Sequence, residues 1–400
     1  MERWRRNLYL LWVSNFMIQA GFSLVMPFLP YYIAQLGVGS EAAVEIWSGL
    51  IFAANFVTMA LFSPIWGAAA DRSGRRRQML RSGFGMAGIV VMMGLVANLW
   101  QLLGLRLLQG VFSGFIPAAI AFTSANTPTQ FTGYALGLLQ TGGAAGGIIG
   151  PLLGGILAKA LGTYRPIFFL TGLACLAAAV LVMLFVREDF TPPAKSRNQS
   201  YLADLAEMAG NRIILTMSVV YFFNFFAIMT VEPILSLFLH RLDTPAQWVD
   251  LAAGVIFSSS GVANVLTAPF LGKRGDRLGY RRILLVCLSV SAVLYLLQVF
   301  VTAAWQLLVL RFLLGACLGG IFPSASALVA RSTAKELQGR AFGFINTAVF
   351  IGDVLGPLVG GVVAAALSQR AVFGVAALAI AVNLVWIYRM VPADSRTSVT

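Results

Sequence analysis

Charge is scarce in this sequence. Asp, Glu, Lys and Arg make up 11% of the 400 residues, whereas soluble domains average about 25%. The chain is 59% hydrophobic with a mean hydropathy of +0.84, which excludes an ordinary soluble globular protein. Because a spanning helix needs roughly 20 apolar residues, this length suits about twelve spans with short loops and leaves little room for a soluble domain.

Residues that carry enzyme chemistry are few. The three cysteines, Cys175, Cys287 and Cys317, lie inside apolar runs and read as small core residues, without metal-ligand or disulfide spacing. The single histidine, His240, lies at the end of an apolar run beside Arg241, where an interfacial anchor is favoured over a proton relay. No nucleophile has a base near it, and no G-x-x-x-x-G-K-[ST] loop occurs. We therefore expect neither an enzyme, nor a metal site, nor an ATP-driven pump in this chain.

The net charge of +13 suggests nucleic acid at first, but the basic residues cluster in short segments between apolar runs. That pattern follows the positive-inside rule, so we expect a bilayer and no nucleic acid as the partner. With both termini in the cytoplasm, 22 Lys/Arg fall on the inside and four on the outside. The apolar runs predict helices over 7–36, 43–69, 78–97, 99–125, 131–159, 165–186, 212–241, 247–272, 282–301, 304–330, 338–365 and 370–389.

The chain repeats itself at an offset of 205 to 206 residues. Trp100 to Arg106 (WQLLGLR) recurs as Trp305 to Arg311 (WQLLVLR), and Gly150-Pro151 recurs as Gly356-Pro357. Copies of six spans each enter the membrane in the same direction, and such parallel duplications build secondary transporters with the substrate site near the midplane. The prediction is an all-α membrane protein of two six-helix bundles, 1–186 and 211–400, joined by a cytoplasmic linker, 187–210.

The loop after the second span combines a tight turn with a basic cluster. It resembles the G-x-x-x-D-R-x-G-R-[RK] signature of the major facilitator superfamily, and a degenerate copy follows at Gly272 to Arg282. In that family the loop latches the cytoplasmic side shut, its aspartate facing a helix N-terminus of the opposite half; the simpler alternative is a positive-inside anchor. The matching residues are Gly67, Asp71, Arg72, Gly74, Arg75 and Arg76.

A glycine series in the fifth span resembles the antiporter motif of the same superfamily, which marks drug:H⁺ exporters. Glycines at intervals of four let helices approach closely, and the proline bends the span; generic glycine packing is the alternative. The series is Gly137, Gly146, Gly150, Pro151, Gly154 and Gly155, and span eleven repeats it. The whole chain resembles bacterial twelve-helix multidrug efflux proteins of the drug:H⁺ antiporter family 1.

Three charged residues inside spans are functional candidates, since intramembrane charge is costly. Arg106 resembles the arginine that the family associates with proton coupling; a structural tie to backbone carbonyls is the alternative. Glu232 and Asp353 are candidate proton-binding groups, against a purely structural hydrogen bond at each. Both lie in the second half, at the repeat positions of Met26 and Gly147.

Sparse polar groups among aromatics and methionines predict a cavity for amphipathic cargo; packing or lipid contact is the alternative for each aromatic. The predicted lining residues are Asn15, Gln19, Phe22, Met26, Gln140, Tyr221, Phe225 and Asn346. The expected function is proton-coupled export of hydrophobic or amphipathic drugs by a monomer in the bacterial inner membrane. It needs no cofactor beyond the proton gradient. A dedicated metabolite, sugar or lipid carrier on the same fold is the alternative.

Overall fold

A computed structural model describes residues 2–188, 190, 210–242, 244–333 and 337–391, apart from the side chain of Asp71. Most of the predicted linker therefore lies outside the described residues. The described part of the chain forms twelve long helical segments, and eleven of them are long and apolar enough to span a membrane. The remaining one, Arg75–Met93, has four arginines within its first two turns and falls outside that composition.

The helices are labelled here in chain order. Helices are the expected elements, because a backbone inside lipid must satisfy its polar groups within the segment. The first six are α1 (Arg3–Gln35), α2 (Glu41–Ser73), α3 (Arg75–Met93), α4 (Leu99–Asn126), α5 (Thr132–Leu161) and α6 (Arg165–Phe185). The last six are α7 (Arg212–Leu239), α8 (Val249–Leu278), α9 (Tyr280–Gln298), α10 (Ala304–Ser332), α11 (Gln338–Ala366) and α12 (Gln369–Met390).

Two of these helices are interrupted. In α1 a short 3₁₀ turn, Met26–Phe28, precedes the last segment, Leu29–Gln35. Pro27 and Pro30 lie at the starts of these two segments, where a missing backbone N–H costs least. In α4 the sequence predicts one continuous helix, but Gly114 adopts φ +117° and splits it after Phe112. Only glycine takes that backbone conformation without strain.

Close packing divides the described residues into two compact units. Unit 1 contains α1, α3 to α6, α2 from Ala54 onward and α8 up to Ser258. Unit 2 contains α7, α9 to α12, α2 up to Ala53 and α8 from Ser259 onward. Each unit thus holds five whole helices and the later part of a sixth from one half, together with the first segment of a helix from the other half.

Glycines bring α5 onto α1 in unit 1. A Cβ added to these glycines would lie 2.5, 2.5 and 2.7 Å from backbone carbonyl oxygens of α1, closer than any side chain tolerates. The three pairs are Gly146–Phe16, Gly150–Ala20 and Gly154–Leu24. Helices that meet at this separation gain van der Waals contact that larger residues would prevent.

Unit 2 repeats this packing between α11 and α7. An added Cβ would lie 2.9 Å from the Phe222 carbonyl oxygen at Gly352 and 2.8 Å from that of Phe226 at Gly356, and nearer still to that of Thr230 at Gly360. Both partners in each pair are displaced by 206 residues from their counterparts in unit 1. The repeat read from the sequence is therefore a repeat of contacts.

The antiporter glycine series continues to a second packing surface. In unit 1, a Cβ on Gly155 would lie 2.7 Å from the carbonyl oxygen of Asp250, at the start of α8. In unit 2, its repeat mate Gly361 makes the same approach to Glu45, at the start of α2, at 2.6 Å. These contacts explain why each unit retains the first segment of a helix from the other half of the sequence.

Candidate functional site

The turn between α2 and α3 is built on Gly74. Its φ of +91° reverses the chain, and its repeat mate Gly279 has the same value. The carboxylate of Glu188 accepts hydrogen bonds from the backbone amides of Arg75 at 3.0 Å and Arg76 at 2.8 Å. A carboxylate at a helix N-terminus satisfies amides that have no partner within the helix and complements the helix dipole.

The other predicted latch residues are placed as follows. Gly67 lies within α2, with no described atom within 4 Å of an added Cβ, so it makes no close approach. The Arg72 side chain is exposed. The Asp71 side chain lies outside the described residues, so its proposed contact stays a prediction. The Arg76 guanidinium donates to the carbonyl oxygen of Met183 at 2.6 Å. The repeat counterparts of these two residues, 205 positions further along the chain, make the same contact: Arg281 donates to the carbonyl oxygen of Tyr388 at 3.2 Å.

The predicted antiporter glycines differ in role. Gly146, Gly150, Gly154 and Gly155 all lie at the close helix contacts described above. Gly137 does not, because an added Cβ there would have no described atom within 4 Å. Pro151 is buried, and a Cβ on Gly254 of α8 would lie against its carbonyl oxygen.

The α1 face predicted to line a cavity is partly packed inside unit 1. Asn15 is 1% exposed and donates from Nδ2 to the Leu139 carbonyl oxygen at 3.1 Å. Met26 is also buried, whereas Gln19 and Phe22 are half-buried. Gln140 of α5 is exposed.

In unit 2, predicted cavity residues belong to an aromatic cluster on α7 and α10. The Tyr221 ring centroid lies 5.5 Å from that of Phe322, and the Phe225 centroid lies 5.3 Å from it. The Tyr221 hydroxyl is 2.6 Å from the Ser326 hydroxyl. Asn346 of α11 is exposed. A cluster of this kind offers flat apolar faces and one hydroxyl, which suits aromatic or aliphatic cargo.

Unit 2 also brings together two carboxylic acids and an arginine from three different helices. Glu232 of α7 interacts electrostatically with Arg311 of α10 and with Asp353 of α11. Tyr295 of α9 interacts with both Glu232 and Arg311. Arg311, Asp353 and Tyr295 are 7%, 5% and 2% exposed, and Glu232 is half-buried. We call these four residues the charged cluster.

The charged cluster retains unused hydrogen-bonding capacity. Among the described residues, Arg311 Nε and Nη2, the Tyr295 hydroxyl and Asp353 Oδ1 have no hydrogen-bond partner. Buried polar groups in native proteins are nearly always paired, so these atoms have the capacity to hydrogen-bond a water molecule or a ligand. Where water is excluded, each change in charge of a carboxylate strongly changes its interaction with the guanidinium.

Arg106 in unit 1 has a different environment from its repeat mate Arg311. It is 3% exposed and donates from Nη1 to Gln109 Oε1 at 2.9 Å. Where α7 carries Glu232, α1 carries Met26. Glu232, which interacts with Arg311, therefore has no acidic counterpart at its repeat position in α1.

Three residues of the charged cluster and the aromatic cluster were not predicted as site residues from the sequence. Arg311 is a charge inside a span and the repeat mate of Arg106, a signal strong enough to have included it. Tyr295 and Phe322 carry no such signal, since aromatic residues are common in spanning helices. Their proximity to Glu232 and Tyr221 depends on how α9 and α10 are rotated.

Comparison with known proteins identifies the family. The family model described as Major Facilitator Superfamily matches residues 11–252 and, in a second match, 214–399. The chain belongs to the Major Facilitator Superfamily. It is a multi-pass membrane transporter and not an enzyme, and the resemblance read from its motifs is confirmed.

Relatives cover almost the whole chain. It is 40% identical over 383 residues to "Multidrug resistance protein MdtG" of Salmonella typhimurium, covering 96% of this chain and 95% of the relative. The protein of the same name from Enterobacter lignolyticus is 41% identical over 383 residues, with 96% and 91% covered.

Solved structures show the same fold at low identity. A bacterial homologue of the human lysosomal transporter Spinster has a TM-score of 0.79 at 15% identity, covering 97% of each chain. The nucleoside transporter NupG has a TM-score of 0.76 at 14% identity, covering 96% of this chain and 98% of its own. The predicted all-α fold of transmembrane helices is thus confirmed.

Proposed function

We propose that this protein is a proton-coupled drug exporter of the bacterial inner membrane that works by alternating access, as a monomer with both termini in the cytoplasm. The observation that carries the proton coupling is the charged cluster, where Glu232 interacts with both Arg311 and a second carboxylic acid, Asp353. Ionisable groups inside spanning segments are costly and mark ion pathways. The names of the full-length relatives support drugs as the cargo.

Glu232 and Asp353 are the proposed proton carriers. When Glu232 is ionised, the Arg311 guanidinium attracts it and an ionised Asp353 repels it. Protonation of Glu232 ends both interactions, and protonation of Asp353 ends the repulsion. Protonation therefore changes the charge balance among α7, α10 and α11, which is the kind of change that biases a conformational equilibrium. The proton gradient is the only energy source proposed, and no cofactor takes part.

The proposed cargo is hydrophobic or amphipathic. Tyr221, Phe225 and Phe322 supply aromatic faces with few fixed polar groups, so many shapes satisfy them. Gln19 and Phe22, which are half-buried in unit 1, are also proposed to contact cargo, on the evidence of the sequence alone. The proposed membrane orientation rests on the distribution of 22 Lys/Arg against four.

The test is transport by purified protein in liposomes with an imposed pH gradient, following a cationic dye and a panel of uncharged and anionic drugs. We expect dye movement that depends on the gradient and is abolished by Glu232→Gln or strongly reduced by Asp353→Asn. Glu2→Gln is the matched control, because it removes a carboxylate from an exposed position and is expected to leave transport unchanged.

Two results would contradict parts of this proposal. Dye movement that is independent of the pH gradient would exclude antiport and favour a uniporter. Full coupled transport in both Glu232→Gln and Asp353→Asn would remove the proton-carrier assignment. Movement of a single metabolite, sugar or lipid and of no drug would favour the dedicated carrier.

A further inference from the structure

A buried carboxylic acid lies near the start of α2, in unit 2. Glu45 is 3% exposed, although it comes only one turn after Glu41, whose side chain is 78% exposed. Its helix packs so closely on α11 that a Cβ added to Gly361 would stand 2.6 Å from the Glu45 carbonyl oxygen. Glu45 has no part in the charged cluster or in the proposed transport mechanism.

The hydrogen-bond partner of this carboxyl group is an amide. Gln369, the first residue of α12, donates from Nε2 to Glu45 Oε1 at 2.6 Å. Gln369 is 4% exposed, and its own oxygen, Oε1, has no hydrogen-bond partner among the described residues. A buried acceptor without a donor is costly. Because Oε1 and Nε2 are bonded to the same carbon, this unused acceptor lies beside the carboxyl group.

The charged groups that interact with Glu45 lie toward solvent. Glu41 repels an ionised Glu45, and Arg241, just after the end of α7, attracts it. Those two residues form an ion pair with each other, and the Arg241 side chain is 51% exposed, so solvent and salt screen its attraction to Glu45. His240, which precedes Arg241, is also exposed. An ionised Glu45 would thus be stabilised by one hydrogen bond and a screened cation, and burying a charge on those terms is costly.

The charged residues of α11 and α12 do not compensate Glu45. On α12, the Arg370 guanidinium donates instead to the carbonyl oxygen of Val301 at 3.0 Å. On α11, Asp353 lies eight residues before Gly361, about 12 Å along the helix axis at 1.5 Å per residue. In the described part of the chain, the electrostatic partners of Glu45 are the two solvent-facing groups alone.

The repeat places a different pair at the equivalent position of unit 1. Asp250 lies 205 residues after Glu45, and Tyr164 lies 205 residues before Gln369. The Tyr164 hydroxyl donates to Asp250 Oδ1 at 3.1 Å. A hydroxyl that donates in this way suits an ionised carboxylate. A carboxamide offers a donor and an acceptor on two neighbouring atoms, which matches a protonated carboxyl group.

We propose that Glu45 and Gln369 form a further proton-binding site, at the outer end of α2, whose proton fastens this segment of α2 to α12. A proton from solution binds Glu45 Oε2, and the resulting hydroxyl donates to Gln369 Oε1 while Glu45 Oε1 still accepts from Nε2. The pair then has two hydrogen bonds in place of one and no buried charge. The outer position rests on the proposed orientation of the termini, whereas the proton binding itself does not depend on coupled transport.

The test is hydrogen–deuterium exchange of the full-length protein in detergent, followed at residues 45–53 from about pH 5 to about pH 9, a range that includes the values of buried glutamates. Glu45→Gln is the reference, because its amide forms the same two hydrogen bonds at every pH. The ratio of the wild-type rate to the Glu45→Gln rate removes the intrinsic pH dependence of exchange. We expect a ratio near unity at the acidic end that rises about two- to tenfold at the alkaline end, the effect of one net hydrogen bond.

A matched control and a spectroscopic readout assign the effect to Glu45. Asp250→Asn changes the repeat-equivalent carboxylate in unit 1, so exchange of residues 45–53 should follow the wild type at every pH. Infrared difference spectra between the two ends of the pH range should show the C=O band of a protonated carboxyl group. We expect part of that band to be missing from Glu45→Gln and retained in Glu232→Gln/Asp353→Asn, which separates this site from the proposed proton carriers.

Two outcomes would overturn the site. A ratio that stays constant across the pH range would mean that Glu45 does not titrate there. An infrared band that is unchanged in Glu45→Gln would assign the proton to another group. Gln369→Leu removes both the donor and the acceptor, and we expect fast exchange with little pH dependence beyond the intrinsic one; wild-type behaviour would exclude Gln369 as the partner. Dye movement that is independent of a pH gradient would contradict the proposed function and leave this site in place.

Discussion

Gly146 of α5 lies so close to Phe16 of α1 that an added Cβ would stand 2.5 Å from the Phe16 carbonyl oxygen. The obstacle is backbone, so it cannot rotate away as a side chain would. We expect Gly146→Ala to force the helices apart and to lower the free energy of unfolding by about 1–3 kcal/mol, as overpacking does. Thermal melting in detergent measures this. Gly147→Ala is the control, because its Cβ would lie 3.9 Å from Gln19 and should leave the melting temperature near the wild-type value.

The repeat makes a second prediction for α11. Gly360 meets the Thr230 carbonyl oxygen more closely than Gly352 meets that of Phe222, and Gly343 meets no described atom within 4 Å. We therefore expect Gly360→Ala to destabilise most, Gly352→Ala less and Gly343→Ala least. The same melting assay orders the three variants, and an equal effect at all three would show that glycine content, not contact distance, decides stability.

Most of the fold could be predicted from the sequence, because hydropathy and the 205–206 offset are local or periodic signals. The offset makes Gly352 the repeat counterpart of Gly146, and in the structure both glycines pack against a backbone carbonyl oxygen. The break in α4 could not be predicted in this way. Gly114 adopts φ +117°, while Gly319, its repeat position, lies within the continuous helix α10.

The candidate site was predicted less completely, for a geometric reason. Arg311 and Glu232 lie on different helices, and their proximity depends on the rotation of α7 and α10 about their axes. The Gly155 and Gly361 contacts, which retain the first segments of α8 and α2, involve chain separations that no local pattern encodes. The predicted residues Asn15 and Met26 share a helical face with Gln19 and Phe22, yet packing against α5 and neighbouring segments buries the first two.

The Glu188 carboxylate caps the N-terminus of α3 from outside the helix. Its loss should therefore weaken the protection of the Arg75 and Arg76 backbone amides. We expect Glu188→Ala to lower stability by about 0.5–2 kcal/mol, as loss of an N-terminal cap does. Hydrogen–deuterium exchange of the segment containing Arg75 and Arg76 should speed up. Glu188→Gln retains one acceptor oxygen and should give an intermediate rate. Exchange unchanged in Glu188→Ala would mean that other groups satisfy these amides.

Tyr164 should make the stability of unit 1 depend on pH in the alkaline range. Its hydroxyl donates to Asp250 Oδ1 at 3.1 Å, and burial followed by the negative charge of Asp250 raises the pKa of the Tyr164 phenol. The folded state then holds the proton more tightly than the unfolded chain does. The stabilisation is complete below about pH 10, the ordinary tyrosine value, and is lost as the pH rises above it.

Tyr164→Phe should therefore be less stable than the wild type at pH 8 and should lose less stability between pH 9 and 11, as approximate limits around the tyrosine pKa. Melting temperatures across this range measure both effects. Asp250→Asn, which removes the charge and keeps an oxygen acceptor, should weaken the pH dependence in the same direction. A steeper alkaline loss in either variant would contradict the assignment.

The pairing of Arg311 with Glu232 is tested by a double-mutant cycle. Removing one member of a buried charge pair costs about 3–5 kcal/mol in soluble proteins because the other charge stays buried, whereas removing both is often nearly neutral. We expect Arg311→Gln to lower the melting temperature more than the double variant Glu232→Gln/Arg311→Gln does. The comparison isolates the coupling, since each residue is removed with and without its partner.

Arg106 supplies the matched control for that cycle. It occupies the equivalent position of the repeat but belongs to unit 1 and donates to the neutral Gln109. Glu232→Gln should therefore give no rescue of Arg106→Gln, and the two effects should add. Equal additivity in both cycles would show that Glu232 is not the charge partner of Arg311, and Asp353→Asn combined with Arg311→Gln would then identify which carboxylate is.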